Sequence, residues 1–354
     1  MSSRIVVLGG DGVGPEVAAE AVRVLEATAT RFGLDLSFQN ELLGGAGYDQ
    51  AGSPLPRATL DACEDAAAVL LGAVGGPKWD NIAVDKRPEQ GLLGIRKALG
   101  LFANLRPVAA IPETMASSPL KAEKLEGVDI MVVRELTGGI YFGRKERTET
   151  SAIDTCEYTV GEIERVCRVA GRLAQGRRGK VTSIDKANVL ETSRLWREVA
   201  TRVFADEFPE LEIEHLLVDA AAMHLLSRPA DFDVMVTENM FGDIITDEAS
   251  MLPGSMGMLA SASLGEGSLG LYEPIHGSAP DIAGQGIANP AGMILSAALL
   301  LCYSLDAPEA AAAVEAAVAG ALAAGVRTRD IAGAGEASVG TQDFGSAVVA
   351  QLEA

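Results

Sequence analysis

Two aspartates with helical spacing are the strongest candidates for chemistry in the sequence. Asp243 and Asp247 lie at i and i+4 in the segment NMFGDIITDEASML, so on a helix they would share one face. Like charges at this spacing destabilise a helix by about 0.2–0.5 kcal/mol unless a cation offsets them. Oxygen ligands without a nearby histidine or cysteine favour Mg²⁺ or Mn²⁺ over zinc. The alternative, which the spacing alone favours, is that both acids stabilise the first turn of a helix.

Two further charged residues follow predicted strands. Asp219 comes after the apolar run 216–218, and Lys186 comes after the run 181–184. Ligands of α/β proteins bind at the carboxyl ends of strands, so Asp219 could be a third metal ligand and Lys186 a base. The simpler interpretation is that Asp219 caps a helix and that Lys186 is a solvated charge.

Three arginines, one tyrosine and one histidine complete the candidates. Arg96, Arg106 and Arg134 could together bind two carboxylates, although a surface position is the default for each. Tyr141, in GGIYFG, either packs at an interface or serves as a phenolic acid. His276 lies in EPIHGSAPDIAGQGIANP, which has the composition of a loop around a ligand or of a plain surface loop.

The glycine loop GGDGVGPE near the start of the chain does not fit the Rossmann fingerprint. Gly10-x-Gly12 is followed by Pro15 where GxGxxG requires its third glycine. No GK[ST] sequence of a P-loop is present. The loop is therefore a tight turn before a helix, or it contacts a cofactor by a non-Rossmann route.

Short apolar runs alternate with helical patterns along the chain, which predicts an α/β protein with strands buried on both faces. The predicted strands cover residues 5–8, 67–71, 130–133, 181–184, 216–218 and 234–236. The alanine-rich stretch 307–324 is predicted to be a surface helix. Residues 136–160 break the pattern and indicate a protruding β hairpin, which would need something to pair with.

Composition limits the classes of protein to which the chain can belong. Its 354 residues are enough for two moderate domains, and 49 acids against 29 bases give a net charge of −20. This charge argues against nucleic acid or an anionic membrane as a partner. The four cysteines lack CxxC spacing and are expected to be reduced thiols. The first apolar run is too short for a signal peptide and the longest too short to span a bilayer, so a cytoplasmic location is expected.

Taken together, these segments resemble the isocitrate/isopropylmalate dehydrogenase family. The resemblance extends from GDGVGPEV near the start to NPAGMILSAALL near residue 300. NMFGDIITDEASMLPGSMGML resembles the family signature, and HGSAPDIAGQGIANP resembles its adenine-binding loop. The resemblance implies two α/β domains that are not Rossmann folds. Residues 1–101 and 255–354 would form the cofactor-binding domain, and residues 102–254 the dimerisation and metal domain, with an arm at about 136–160.

Two segments resemble the isopropylmalate branch of this family. In EQGLLGIR, Glu89, Leu92 and Leu93 match the positions that shape a pocket for a branched substrate, and RELTGGIYFG matches the same branch. The resemblance implies oxidative decarboxylation of 3-isopropylmalate to 4-methyl-2-oxopentanoate, in leucine biosynthesis. The alternatives are a decarboxylating dehydrogenase for D-malate or tartrate, and a non-catalytic regulatory paralogue.

The resemblance also implies roles for the charged candidates. The three arginines would bind the substrate carboxylates. Asp243 and Asp247 would hold Mg²⁺ or Mn²⁺ together with Asp219 of a partner subunit, which would also contact the substrate. Lys186, also reaching across the dimer, would serve as or assist the base that takes the hydroxyl proton. Tyr141 would protonate the enolate after decarboxylation. The active sites would then be shared across a homodimer.

The implied cofactor is NAD. Its contacts would come from Glu273, His276, Gly277, Ser278, Ala279, Asp281 and Asn289. The carboxylate of Asp281 would accept hydrogen bonds from the adenine ribose and would repel a 2′-phosphate. Relatives that use NADP resemble one another in having lysine and then tyrosine at these positions, where this chain has Asp281 and Ile282. We therefore expect a preference for NAD over NADP.

Overall fold

The computed structural model describes residues 2–333 and 335–354 and divides into two compact units. Unit 1 comprises Met1–Leu101, Ile111–Ser117 and Gly254–Ala354, and unit 2 comprises Phe102–Ala110 and Ser118–Pro253. Strands alternate with helices in both units, so the predicted α/β class is confirmed. The segment Ile111–Ser117 belongs to unit 1, whereas the predicted division assigned it to the second domain. The cofactor-binding and dimerisation roles of the domains stay predictions.

Strands and helices are numbered in chain order. The strands are β1 (Ser3–Gly10), β2 (Leu36–Glu41), β3 (Ala68–Ala73), β4 (Ala103–Ala109), β5 (Asp129–Glu135), β6 (Lys145–Arg147), β7 (Ala152–Asp154), β8 (Lys180–Asp185), β9 (Glu212–Leu217), β10 (Val234–Thr237), β11 (Ala260–Leu264) and β12 (Gly270–Pro274). The helices are α1 (Gly14–Phe32), α2 (Gly44–Ala51), α3 (Arg57–Glu64), α4 (Pro88–Ala98), α5 (Ala122–Leu125), α6 (Val160–Gln175), α7 (Glu191–Glu207), α8 (Val218–Ser227), α9 (Asn239–Ala249), α10 (Ala291–Tyr303), α11 (Pro308–Ala323) and α12 (Thr341–Glu353).

The sheet of unit 1 has the strand order β2-β1-β3-β12-β11. Its neighbouring strands pair in parallel, except that β11 and β12 are antiparallel. Every residue of β3 is buried, as expected for an apolar strand covered on both faces. The predicted strand 5–8 lies within β1, and the strand predicted at 67–71 is confirmed except at its ends, because β3 begins at Ala68 and continues to Ala73.

The alanine-rich segment 307–324 forms a surface helix, α11, as predicted, and its exposed face includes Ala312, Glu315 and Ala319. Helix α11 buries one face, including Val314, Val318 and Leu322, against α10 and α12. Small alanine side chains let neighbouring helices approach closely, so a sequence that looks weakly amphipathic can still form part of a core.

The sheet of unit 2 has the strand order β4-β5-β10-β8-β9. Strands β4 and β5 are antiparallel, and the other pairs are parallel. The predicted strands 130–133, 181–184 and 234–236 lie within β5, β8 and β10. The prediction for 216–218 was wrong at its end, because β9 ends at Leu217 and Val218 begins α8.

The predicted β hairpin is present in unit 2. Strands β6 and β7 pair in an antiparallel ladder, and all six of their residues are exposed. The hairpin carries the apolar side chain of Ile153, which is 49% exposed. A two-stranded hairpin with no buried face has little stability of its own.

Two further observations concern the chain as a whole. Within the residues that the structure describes, no helix is both long enough and apolar enough to cross a membrane. The cysteines at 63, 156, 167 and 302 are free thiols.

Candidate active site

The predicted acid pair lies on one face of α9. Helix α9 begins at Asn239, and its first turn contains no acid, so the alternative that the pair stabilises a first turn was wrong. The side chains of Asp243 and Asp247 are 35% and 68% exposed. Partial burial and the neighbouring charge of Asp243 raise the pKa of Asp247. Positive charge must therefore offset the two negative charges, which lie one helical turn apart.

Two arginines supply that charge. Arg106 on β4 and Arg134 on β5 are 8% and 5% exposed, so a surface position was the wrong default for both. A guanidinium nitrogen of Arg134 donates to Oδ1 of Asp243. The guanidinium of Arg106 lies 4.0 Å from Asp243 and 3.7 Å from Asp247. Because β4 and β5 are neighbouring antiparallel strands, both arginines reach the same helix from the sheet.

Tyr141 joins this cluster from a 3₁₀ turn at Gly139–Tyr141. Its Oη donates to Oδ2 of Asp243 at 2.9 Å, and the guanidinium carbon of Arg134 lies 5.9 Å from the ring centroid. Partial burial, followed by the hydrogen bond to Asp243, raises the pKa of the Tyr141 phenol above its usual value of 10.0. The phenol is therefore protonated at neutral pH, as a proton donor must be.

Three polar side chains that the sequence analysis did not single out contact the arginines. Asn104 and Thr246 accept hydrogen bonds from Arg106 at 2.7 and 2.5 Å, and Asn239 accepts two from Arg134. The spacing of the two asparagines could have identified them from the sequence. Asn104 is two residues from Arg106 on a strand and therefore on the same face, and Asn239 is one helical turn before Asp243.

Lys186 and Asp219 form a second charged pair in unit 2. Lys186 follows β8, and its Nζ donates to Oδ1 of Asp219 on α8. This hydrogen bond lowers the pKa of Asp219. The N-cap of α8 is Leu217, so the interpretation of Asp219 as a helix cap was wrong. In residues 2–333 and 335–354, no group of three His, Cys, Asp or Glu side chains is arranged to hold a metal ion.

A buried acid network lies next to the cluster along the sequence. Glu135 follows Arg134 on β5, and Glu238 caps α9 by accepting from the N–H of Phe241 at 2.9 Å. The hydroxyl of Tyr158 is 3.4 Å from Glu135 and 3.2 Å from Glu238. Burial raises the pKa of both carboxyl groups above their usual value of 4.5.

In unit 1, two residues with different predicted ligands bind each other. Arg96, predicted to bind substrate, donates to Oε1 of Glu273, predicted to contact NAD, at 2.6 Å. Each side chain is 12% exposed, so the ion pair is largely shielded from water. On the same helix as Arg96, α4, Leu92 packs partly against the core around β3, and Leu93 is half-buried. Glu89 is exposed in the first turn of α4.

The glycine loop and the predicted cofactor loop are joined in unit 1. The N–H of Val13 donates to the carbonyl of Ser278 at 2.8 Å. Gly12 has φ +58°, and a Cβ there would lie 1.9 Å from the Ser278 carbonyl oxygen, so only glycine fits. Ala279 has an unusual positive φ of 38°. The glycine loop thus supports the segment around residues 276–279 rather than forming a Rossmann turn.

The side chains of the predicted cofactor loop differ in their hydrogen bonds and in their exposure to solvent. Nδ1 of His276 lies 2.9 Å from the carbonyl of Gly277, while its Nε2 is buried with no hydrogen-bond partner in the described part of the chain. Burial lowers the pKa of His276, which favours the neutral imidazole. Asp281 is exposed, whereas Asn289 bonds to Asp330 and to the N–H of Ala291. An unpaired imidazole nitrogen is available to a ligand, and the Asn289 amide is already engaged.

The chain is similar in sequence and in fold to known dehydrogenases. The family model described as isocitrate/isopropylmalate dehydrogenase matches residues 4–348. The chain is 60% identical to the 3-isopropylmalate dehydrogenase of Anaeromyxobacter dehalogenans, covering 94% of this chain and 96% of that one. It is 56% identical to the 3-isopropylmalate dehydrogenase of Rhodopirellula baltica, covering 99% of both. Its fold is similar to a crystal structure of isocitrate dehydrogenase from Methylococcus capsulatus, with a TM-score of 0.88 and 34% identity over 99% of this chain and 100% of that one.

Proposed function

The chain belongs to the isocitrate/isopropylmalate dehydrogenase family, and on that basis we propose that it oxidatively decarboxylates 3-isopropylmalate in leucine biosynthesis. The overall reaction converts 3-isopropylmalate and NAD⁺ to 4-methyl-2-oxopentanoate, CO₂ and NADH. The observation that carries the proposal is the cluster of two buried arginines, two aspartates and a tyrosine in unit 2. It combines carboxylate-binding cations, hard oxygen ligands and a protonated phenol, which are the groups that this reaction requires.

Charge balance supports a dianionic substrate together with a divalent cation. Arg106 and Arg134 carry two positive charges, and Asp243 and Asp247 carry two negative charges when ionised. A divalent cation on the two aspartates would leave an excess of two positive charges, which matches the two carboxylates of the substrate. The exposed carboxylates fit Mg²⁺ or Mn²⁺, which supplies Lewis acidity toward the 2-hydroxyl when bound. Arg96 is the third proposed carboxylate ligand.

The two proton transfers are assigned to residues of this chain. Lys186 is assigned the proton of the substrate hydroxyl, which it can accept only as a neutral amine. It pairs with Asp219 as an ammonium group, and a cation bound by Asp219 would weaken that pairing and favour the neutral amine. Tyr141 delivers a proton to the carbon that loses CO₂, because its raised pKa keeps the phenol protonated until a strong base forms beside it. Asp243 orients that phenol through the 2.9 Å hydrogen bond.

We also propose that two copies of the chain share their active sites. The two aspartates of α9 need a third ligand, and Asp219 of a second copy would supply it. Helices α8 and α9, which carry these acids, pack against each other and expose apolar side chains at Met223, Leu226 and Ile244. A second copy would cover these side chains, and it would give the exposed hairpin β6–β7 a partner. Free thiols support a cytoplasmic location for the homodimer.

NAD is the proposed cofactor, bound in unit 1 by Glu273 and by the loop residues that the sequence predicted. The unpaired Nε2 of His276 is available as a hydrogen-bond acceptor. The exposed carboxylate of Asp281 would bind ribose hydroxyls and repel a 2′-phosphate. The test is to compare kcat/KM for NAD and NADP in the wild type and in an Asp281→Lys, Ile282→Tyr variant. NAD should be preferred by the wild type and less so by the variant, and equal use of NADP by the wild type would refute the assignment.

The side chains of α4 are proposed to determine the specificity for a branched substrate. Leu92 packs partly against the core, so Leu93 is the better candidate to contact the isopropyl group, with Glu89 on the same helix. A panel of 3-isopropylmalate, D-malate, tartrate and isocitrate with NAD and Mn²⁺ tests the reaction. The highest kcat/KM should be that for 3-isopropylmalate. A higher value for D-malate or tartrate would favour that alternative, and no NADH with any substrate would favour a regulatory paralogue.

A further inference from the structure

Each arginine of the unit 2 cluster is hydrogen-bonded to a buried asparagine. Nε of Arg106 donates to Oδ1 of Asn104 at 2.7 Å. Nε and Nη2 of Arg134 donate to Oδ1 of Asn239 at 3.1 and 2.9 Å. Asn104 is 0% exposed and Asn239 is 1% exposed, so water cannot replace these acceptors. Two buried amide oxygens therefore help to orient the guanidinium groups, together with Thr246 for Arg106 and Asp243 for Arg134.

The amide of Asn239 is fixed from several sides. Its Nδ2 donates to the carbonyl of Gly138 at 3.2 Å, and its backbone N–H donates to the Tyr158 hydroxyl at 2.9 Å. These contacts assign the amide oxygen to the side of Arg134. Because Gly138 immediately precedes the 3₁₀ turn that carries Tyr141, one side chain orients both the guanidinium and the turn of the proposed proton donor.

An amide at these two positions differs from a carboxylate in its charge, which matters for binding an anion. A carboxylate would accept the same hydrogen bonds more strongly, but it would cancel the positive charge of the arginine. The chain carries a net charge of −20, so positive potential is scarce. An asparagine oxygen orients a guanidinium group and leaves its charge for the aspartates of α9 and for a ligand.

We propose that Asn104 and Asn239 are positioning residues that hold Arg106 and Arg134 in a fixed orientation while leaving their charges available to the substrate carboxylates. The two asparagines lie close together, since Asn104 is the residue opposite Arg134 in the antiparallel pairing of β4 and β5. The inference rests on the proposed function for the identity of the anion. The geometry on which it depends lies entirely within unit 2.

The test uses Asn104→Asp and Asn239→Asp in the full-length protein. Each change keeps the size of the side chain and an acceptor oxygen but adds a negative charge next to an arginine. We expect each to raise KM for 3-isopropylmalate by about tenfold or more, while kcat stays within about threefold, because the charge acts on binding of an anion. KM for NAD should not change. Asn40→Asp, on the exposed end of β2, adds the same charge elsewhere and serves as the matched control.

A second variant separates orientation from charge. Asn239→Ala removes the acceptor for Arg134 and the donor to Gly138, so it should lower kcat as well as raise KM, because the Tyr141 turn also loses its support. Its crystal structure should show the Arg134 guanidinium or the Gly139–Tyr141 turn displaced.

The possible outcomes are distinguishable. If both Asn→Asp variants have the same KM as the Asn40→Asp control, or if neither group moves in Asn239→Ala, the positioning role is overturned. If the wild type does not turn over 3-isopropylmalate, the proposed function fails instead, and the crystal structure of Asn239→Ala then decides the positioning role by itself.

Discussion

Two pairs of acids in unit 2 flank the same arginine, Arg134, or its partners on α9 and differ in their surroundings. The inner pair, Glu135 and Glu238, is buried around Tyr158, and both carboxyl groups accept hydrogen bonds from backbone N–H groups. The outer pair, Asp243 and Asp247, is partly exposed and is held by arginine side chains. The inner pair thus accepts hydrogen bonds from backbone groups, and the outer pair is paired with arginine side chains whose positive charge a bound ligand can share.

The difference shows which acids are available for chemistry. Burial raises the pKa of both inner carboxyl groups and favours their neutral forms, although Arg165 lies 3.7 Å from Glu135. The outer acids keep access to water and cations beside them, which suits the exchange of an arginine for a divalent cation. Residue type and sequence position do not distinguish Glu238 from Asp243 and Asp247, whereas their hydrogen-bond partners separate a structural acid from the reactive ones.

The largest expected effect comes from removing an outer acid. Asp243→Asn should lower kcat/KM for 3-isopropylmalate by about 100-fold or more, because the proposed metal ligand and the acceptor for Tyr141 are lost together. Glu238→Gln, in the inner pair, should change kcat/KM by less than about tenfold, because the amide oxygen can still cap α9. Steady-state kinetics on folded variants, verified by their thermal unfolding, make this comparison. Equal losses in the two variants would contradict the distinction between the pairs.

A smaller effect tests whether the outer pair is completed by a second copy. Asp219→Asn and Asp243→Asn proteins should each be inactive, and mixing them under conditions of subunit exchange should restore activity. In a two-fold symmetric dimer with random exchange, about a quarter of the sites would regain all their ligands. Specific activity should be measured before and after mixing, with exchange followed by tagged subunits. Full exchange without recovered activity would exclude shared sites.

The smallest effect concerns the pH dependence of stability. A carboxyl group whose pKa is raised in the folded state stabilises the fold most fully below its unfolded pKa, here about 4.5, and loses that contribution as pH rises through the folded pKa. Glu238→Gln removes this titration. Relative to wild type, the variant should therefore gain stability as pH rises from about 4.5 towards neutrality, by about 1.4 kcal/mol for each unit of the pKa shift.

Urea unfolding between pH 4.5 and 7.5 measures this trend. Glu309→Gln, in the exposed first turn of α11, provides a surface control whose stability difference from wild type should stay constant over the same range. A constant difference for Glu238→Gln as well would mean that the buried carboxyl does not titrate differently on folding.

The amino-acid sequence by itself determined the elements and the chemical candidates. Apolar runs located the strands, because side chains buried on both faces of a parallel sheet must be apolar. The spacing of Asp243 and Asp247 put them on one helical face, and the failed glycine fingerprint excluded a Rossmann turn. Family resemblance added roles for residues such as Lys186 and Tyr141 that spacing alone left open.

Only the tertiary structure decided which residues meet. Arg106, Arg134 and Tyr141 converge on Asp243 from two strands and a turn. No local pattern encodes such contacts, which span 102 residues from Tyr141 to Asp243 and 109 from Arg134 to Asp243. The positioning residues Asn104 and Asn239 were missed for the same reason. The role of an asparagine depends on the hydrogen-bond partner that folding brings to it. The sequence predicted α11 as a surface helix but not which of its faces is buried, because alanine packs in a core or faces water equally well and the neighbours α10 and α12 decide between the two.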